Sequence, residues 1–301
     1  MRPLQIETNR PEAPSTEPLM TVRIPTYNRP EGLSRTLKAI VSQTFQNLEI
    51  IVSDHCSPKP AVAEVIKVLR REMRGFGISD SNSTRGRSTN FQFVLERASG
   101  KYFMWAADDD YVSQNYVSTL VNALEQNEHL KLAVAKIVNV NPGGCLVELP
   151  AIEESINRLP SISRIRALIE KHYSSWIYGL FRTTALRASF WILRSSTWIA
   201  CNDRLLLYEY IVNDAVVVTD RTTLYSGCRP RHKNPGYRPK RVIPYCAWAL
   251  SLSCRALRLL CRARISAPAK VVLVPFFVGH LWRNYWVPLF SHSSNHSSSV
   301  E

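Results

Sequence analysis

The hydrophobic pattern of the first half of the chain alternates between two periods. Short β-type runs lie at 19–24, 48–53, 77–80, 101–106 and 132–140. Between them, apolar residues recur at helical spacing. Leu33, Leu37, Ile40 and Val41 fall within 31–43, with a proline at the entrance; Val62, Val65, Ile66 and Leu69 follow, then Tyr116, Leu120, Val121 and Leu124. Residues 90–98 read as a further helix. Strands alternating with helices predict βαβ units about a parallel sheet. After Gly143-Gly144 the rhythm changes. Helices are expected over 162–171 and 203–212, an aromatic strand over 176–181, and a short strand over 216–219.

Parallel sheets bind ligands beyond the carboxyl ends of their strands. Three polar loops fall there: 25–29, 54–57 and 108–110. The apolar run 101–106 stops at three consecutive aspartates, a costly arrangement unless a cation meets them. In an extended segment Asp108 and Asp110 share one side and Asp109 the other. Two hard oxygen ligands at that spacing suit Mg²⁺ or Mn²⁺. The alternative is an acidic turn capping the helix that begins near 113. No G-x-G-x-x-G follows the first strand, which disfavours an ordinary dinucleotide fold.

Charge changes the picture in the second half. The chain of 301 residues carries a formal net charge of +14. Beyond Asp220 there are 13 Lys and Arg but one acidic residue, Glu301. A near-neutral body is therefore followed by a basic end, which implies an anionic partner. Within it, Trp248, Leu252, Leu259 and Leu260 alternate with Arg255, Arg258, Arg262 and Arg264, and 271–278 is apolar around Pro275. Such a segment suits the plane of a membrane interface; the alternative is a helix pair packed on the globular body. Seven scattered cysteines without C-x-x-C spacing read as reduced and intracellular. No stretch of about 20 apolar residues suits a spanning helix. Residues 1–18 and 291–301 read as disordered tails.

The ordered set of motifs resembles one family. Val22-Arg23-Ile24-Pro25-Thr26-Tyr27-Asn28-Arg29, Ser42-Gln43-Thr44-Phe45, Leu48-Glu49-Ile50-Ile51-Val52-Ser53-Asp54, the segment 82–90, Ala98-Ser99-Gly100-Lys101-Tyr102 and Asp108-Asp109-Asp110 resemble the family 2 glycosyltransferases. The likeness covers about 20–125 and continues more weakly through Tyr178-Gly179-Leu180-Phe181-Arg182 and Asn202-Asp203-Arg204-Leu205-Leu206-Leu207 to Arg231 and Lys233. It implies an α/β GT-A (Rossmann-like) fold, with a central, mostly parallel sheet flanked by helices and a basic C-terminal helical appendage. The implied domains are 19–235, divided into a nucleotide-binding half (19–125) and an acceptor half (126–235), then a basic helical region at 236–290.

The resemblance also implies roles. Pro25, Thr26 and Asn28 would hold the nucleotide's base and ribose, and Asp54 would bond the base. Arg85 and Asn90 would line the nucleotide. Asp108 and Asp109 belong to the D-x-D element, Asp110 and Asp108 would ligate Mn²⁺ or Mg²⁺, and His232 would join them. Asp203 would be the acceptor-activating base of an inverting, metal-dependent, non-processive enzyme, with a hydroxyl acceptor that is lipid-linked in a polysaccharide pathway. The implied location is cytoplasmic, peripheral on the inner face of the membrane. Many relatives show Glu-Asp where this chain has Asn202-Asp203, which leaves the base assignment open. The Q-x-x-R-W signature of processive synthases is absent.

Each role has a plainer reading. Asp54 can be a turn residue, Asp203 a helix cap, His232 a solvated loop residue, and Trp176 and Tyr178 core. Two other functions compete. A nucleotidyltransferase would usually carry a Gly-rich basic loop after the first strand, which 25–29 is not. A non-catalytic membrane-surface or nucleic-acid-binding protein is the other. The near-neutral first 220 residues argue against an extended nucleic-acid footprint.

Overall fold

The structure is a computed structural model and describes residues 19–54, 57, 61–72, 77–80, 95–141, 143–150, 152–194, 202–227 and 242–287. Both expected tails, Arg85, Asn90, Arg231, His232 and Lys233 lie outside these residues, as does most of the helix expected over 90–98; residues 95–97 are helical. The chain divides into two compact units.

The first unit comprises residues up to 154, then 175–190 and 217–229. Its strands are β1 (Met20–Thr26), β2 (Leu48–Asp54), β3 (Gly77–Asp80), β4 (Tyr102–Trp105), β5 (Tyr111–Val112), β6 (Leu132–Val140), β7 (Leu146–Glu148), β8 (Leu180–Arg182) and β9 (Val216–Gly227). They form one sheet in the order β3-β2-β1-β4-β8-β6-β9-β5, with β7 on β6. β3, β2, β1 and β4 pair in parallel. β8 then joins β4, and β6 joins β8, antiparallel. The buried parallel strands are near-continuous in apolar residues, as coverage on both faces requires.

Helices α1 (Pro30–Val41), α2 (Ala61–Glu72), α3 (Tyr116–Glu125) and α5 (Thr183–Ser189) belong to this unit. α1 has Pro30 at its first turn and Glu31 beside it, both favourable at a helix start. Its buried face is Leu33, Thr36, Leu37 and Ile40. Gln43 ties its end to α3: the Nε2 amide donates to the carbonyls of Ala39 and Ser113, and Oε1 accepts from the Val117 amide at 2.9 Å.

Two expectations are corrected here. The stretch 176–181 is not one strand: a 3₁₀ turn (Ser174–Tyr178) precedes β8. Trp176 is buried, and Gly179 N closes the turn on the Trp176 carbonyl at 2.9 Å. The strand at 216–219 runs on to Gly227, because its far end pairs with β5.

The second unit comprises residues 155–174, 191–216 and those from 230 onward. It holds α4 (Ser161–Lys171), α6 (Trp191–Arg194), α7 (Asn202–Val212), α8 (Val242–Arg262) and α9 (Ala267–Leu281), which ends in a π-turn (Trp282–Trp286). α7 packs on α4, α6 and α8, and α9 on α4 and α8. Leu205 through Tyr208 and Tyr210 through Val212 are all buried, so α7 is the central helix of this unit. α9 continues through Pro275 rather than stopping at it. Its start is fixed by Ser266, whose hydroxyl accepts from the Ala269 amide.

Candidate functional site

Three of the expected loops meet at one edge of the sheet in the first unit. The β1–β2 register places Thr26 opposite Asp54. On the other side of β1, β4 ends opposite Arg23, and Ala106 N donates to the Arg23 carbonyl at 2.7 Å. The chain leaving β4 therefore turns beside the last residues of β1, and Thr26 Oγ1 donates to Asp108 Oδ2 at 3.0 Å. Pro25 lies beyond the last β1–β4 pair, where a residue lacking N–H is tolerated.

On the Asp54 side, the carboxylate accepts from Ser57 N at 3.1 Å and from Ser57 Oγ at 2.5 Å. Ser57 Oγ in turn accepts from the Asn28 amide at 2.7 Å. Asn28 has φ 52°, a left-handed conformation that asparagine adopts more readily than most residues. Pro25, Thr26, Asn28, Asp54 and Asp108 thus belong to one hydrogen-bonded edge.

The aspartate triplet is arranged differently from an extended strand. Asp110 N donates to the Ala107 carbonyl at 3.3 Å and closes a turn, so side-chain alternation does not apply. Arg29 bridges two of the carboxylates: its Nη1 lies 2.9 Å from Asp108 Oδ1 and 3.2 Å from Asp109 Oδ2. Asp109 therefore does not face away from Asp108. Asp110 is held from β9, where Gly227 N donates to its Oδ1 at 2.8 Å. Thr36 Oγ1 on α1 donates to the carbonyls of Ala107 and Asp110. Helix, sheet edge and β9 together clamp the turn.

Burial dominates the electrostatics. It pushes the Asp110 carboxyl up to about 7, against the opposing Gly227 hydrogen bond. It also raises Asp108, opposed by the Arg29 charge and the Thr26 hydrogen bond. A carboxyl raised in this way gains from a nearby cation. Among the described residues, no three His, Cys, Asp or Glu side chains converge closely enough to hold an ion alone. Mg²⁺ and Mn²⁺ commonly take one or two carboxylates and complete their shell with phosphate and water. The donor set is hard oxygen, and Asp108 and Asp109 already meet at a cation; these residues fit such an ion. His232 lies outside the described residues.

Asp203 belongs to the second unit, at the start of α7. Burial raises its carboxyl; the Arg204 backbone amide, the Arg204 charge and the Ser174 hydroxyl oppose the shift. Arg204 Nε donates to Ser174 Oγ at 3.1 Å. Asp203 thus lies in the first turn of α7, with the Arg204 charge and the Ser174 hydroxyl favouring its ionised form.

Sequence reasoning gave no role to Arg29, Ser57, Gly32, Thr36 or Gly227. Gly32 had a signal, since glycine inside a helix costs roughly 1 kcal/mol against alanine. A Cβ there would lie 2.2 Å from the Asp108 carbonyl oxygen, so α1 can approach the turn only with glycine. A Cβ on Gly227 would lie 2.8 Å from the Asp109 carbonyl oxygen.

Residues 21–173 match the model of the family described as glycosyl transferase family 2. One relative, the GalNAc(5)-diNAcBac-PP-undecaprenol beta-1,3-glucosyltransferase of Campylobacter jejuni, is 33% identical over 104 residues, 35% of this chain. That alignment spans only 34% of the relative's own length. Among solved structures, S. aureus TarS 1-349 in complex with UDP superposes with a TM-score of 0.64 at 15% identity, over 94% of this chain and 75% of that one. The mannosyltransferase PcManGT of Pyrobaculum calidifontis, in complex with GDP-Man and Mn²⁺, gives 0.56 at 14% identity, over 97% and 79%. The match spans half of the chain, includes every described loop of the sheet edge and is accompanied by the GT-A fold: the chain belongs to the family 2 glycosyltransferases.

Proposed function

We propose that this protein is a metal-dependent, inverting glycosyltransferase that moves one sugar from a nucleoside-diphosphate sugar to a hydroxyl acceptor. The observation that supports it most is the Thr26–Asp108 hydrogen bond at the end of β1, with Asp54 opposite on β2. It brings the Asp54 carboxylate and the aspartate turn to one strand end. In this reading Asp54, oriented by Ser57, accepts a hydrogen bond from the base, while Pro25, Thr26 and Asn28 line base and ribose. Arg85 and Asn90 complete the nucleotide's surroundings.

Asp108 and Asp109 face the diphosphate, and Asp110 and Asp108, joined by His232, would hold Mn²⁺ or Mg²⁺. The ion would supply charge neutralisation on the departing nucleoside diphosphate. Asp203 takes the proton from the acceptor hydroxyl as its oxygen bonds to the anomeric carbon. Attack from the face opposite the departing diphosphate inverts the configuration. A carboxyl raised by burial is a better proton acceptor than a solvated one, which favours this role. The C. jejuni relative's name contains a PP-undecaprenol acceptor; it favours a lipid-linked acceptor in surface polysaccharide assembly, met at the inner face of a membrane.

The test is nucleotide-sugar hydrolysis or transfer with Mn²⁺ or Mg²⁺ across UDP-, GDP- and dTDP-sugars. Asp110→Ala is expected to lower turnover at least a hundredfold. Asp203→Asn should retain nucleotide binding and lose transfer. Undiminished turnover in Asp110→Ala rejects the metal role, and unchanged transfer in Asp203→Asn rejects the base.

A further inference from the structure

Apart from Lys270 and His280, helix α9 is apolar around its circumference, a composition expected of a helix covered on every side. One side is covered by its own unit: Ala269, Leu273, Phe277, His280 and Leu281 are buried, and α9 packs on α4 and α8. The other side is not. Val271, Val274, Val278 and Trp282 recur at steps of three and four, which places them in one stripe along the helix. They are 73%, 37%, 45% and 50% exposed, with Pro275 exposed between them.

The surroundings of the stripe are cationic. Residues 242–287 contain six Lys and Arg and no Asp or Glu. Lys270 precedes the stripe and Arg283 follows it; the Arg166 guanidinium lies 4.7 Å from the Phe276 ring centroid, on the side of α9 that packs on α4. Glu170, 3.8 Å from Arg283, is the acidic side chain paired with this end. Trp282 is half exposed and stacks on Trp286 with ring centroids 6.0 Å apart. An apolar stripe with cationic ends and an interfacial tryptophan is the pattern of a helix lying in the headgroup region of a bilayer. The stripe is only about 17 Å long, and no helix among the described residues is long and apolar enough to cross a membrane. A second copy suits this face poorly: stacked antiparallel, the two helices would set Lys270 against the other copy's Arg283, and stacked parallel, like against like.

We propose that the exposed stripe of α9 is a docking face for an anionic lipid surface, with Val271, Val274, Val278 and Trp282 entering the interface and Lys270 and Arg283 meeting the headgroups. This goes beyond the sugar-transfer reading and does not depend on it. Flotation of the full chain with phosphatidylcholine vesicles, with and without added phosphatidylglycerol, tests it across a salt series. Binding is expected with the anionic vesicles and should weaken as salt rises. The double variant Val274→Glu, Val278→Glu should lower the bound fraction about tenfold or more. Both positions are exposed, so its thermal midpoint should stay near that of the parent; Trp282→Ser gives the same loss through a different residue. Failure of the parent chain to float with anionic vesicles overturns the proposal. So does equal binding by the parent and both variants. Lipid-free sedimentation showing a dimer that the double variant abolishes would assign the face to a second copy and overturn it equally.

Discussion

Arg29 and Gly32 show how single residues set the aspartate turn. The guanidinium, about one-third exposed, meets two carboxylates, one of which, Asp108, burial alone would leave destabilised. Arg29→Ala is expected to destabilise the metal-free protein by about 1–3 kcal/mol, since Asp108 stays buried with the Thr26 hydrogen bond but without its cationic partner. Added Mn²⁺ should recover part of that loss, and thermal unfolding with and without the ion reads both. Gly32→Ala acts by shape instead of charge. The new methyl meets a backbone oxygen that cannot turn aside, so the first turn of α1 must shift. We expect a loss of about 1–3 kcal/mol in urea unfolding, together with weaker nucleotide binding. Of these two, only Gly32 was legible as an anomaly. Arg29 stood within the recognised motif, but its partners are about 80 residues away in sequence.

Helices are where periodicity served best, and their polar residues where it served least. α1, α3, α4 and α7 lie within a few residues of their expected bounds; in α1, α3 and α4 an apolar stripe that a 3.6-residue period can bury accounts for it, whereas α7 is buried on nearly every side. The apolar run 271–278 is legible too, but not which of its residues are covered. His280 on its inner side was not singled out at all. It is buried, with Tyr208 Oη 3.0 Å from its Nε2, and burial pushes it down to about 4. A histidine whose folded pKa lies below the unfolded value of 6.5 adds stability above pH 6.5, lost as pH falls toward 4. The loss is on the order of 3 kcal/mol. Unfolding midpoints measured from pH 7 to pH 4 should fall in the parent chain. In His280→Phe they should fall less steeply.

At the scale of the whole molecule, the basic C-terminal region completes a core. α8 and α9 pack on α7 and α4, whose buried residues include Leu168, Tyr208 and Ile211. A chain ending at residue 241 would expose these side chains. It is expected to lose cooperative unfolding and to aggregate, as light scattering and calorimetry would show. The charge asymmetry that first marked this region therefore coexists with a structural task, covering α7, which composition could not reveal. Charge reads the surface of a helix, and contacts between distant segments decide what lies beneath it.

The amino-acid order alone determined the alternation of strands and helices, the family and the three loops that meet at the strand ends. These follow from local period and short motifs, which need no knowledge of distant neighbours. Only the tertiary structure decided that the aspartates form a turn bridged by Arg29, that β8, β6, β9 and β5 extend the sheet beyond β4, and that residues 155–174 and 191–216 share a unit with the C-terminal helices. Each of these depends on pairing between segments far apart in the chain. Such pairings are selected by the summed burial of many residues at once, and no local pattern records that sum.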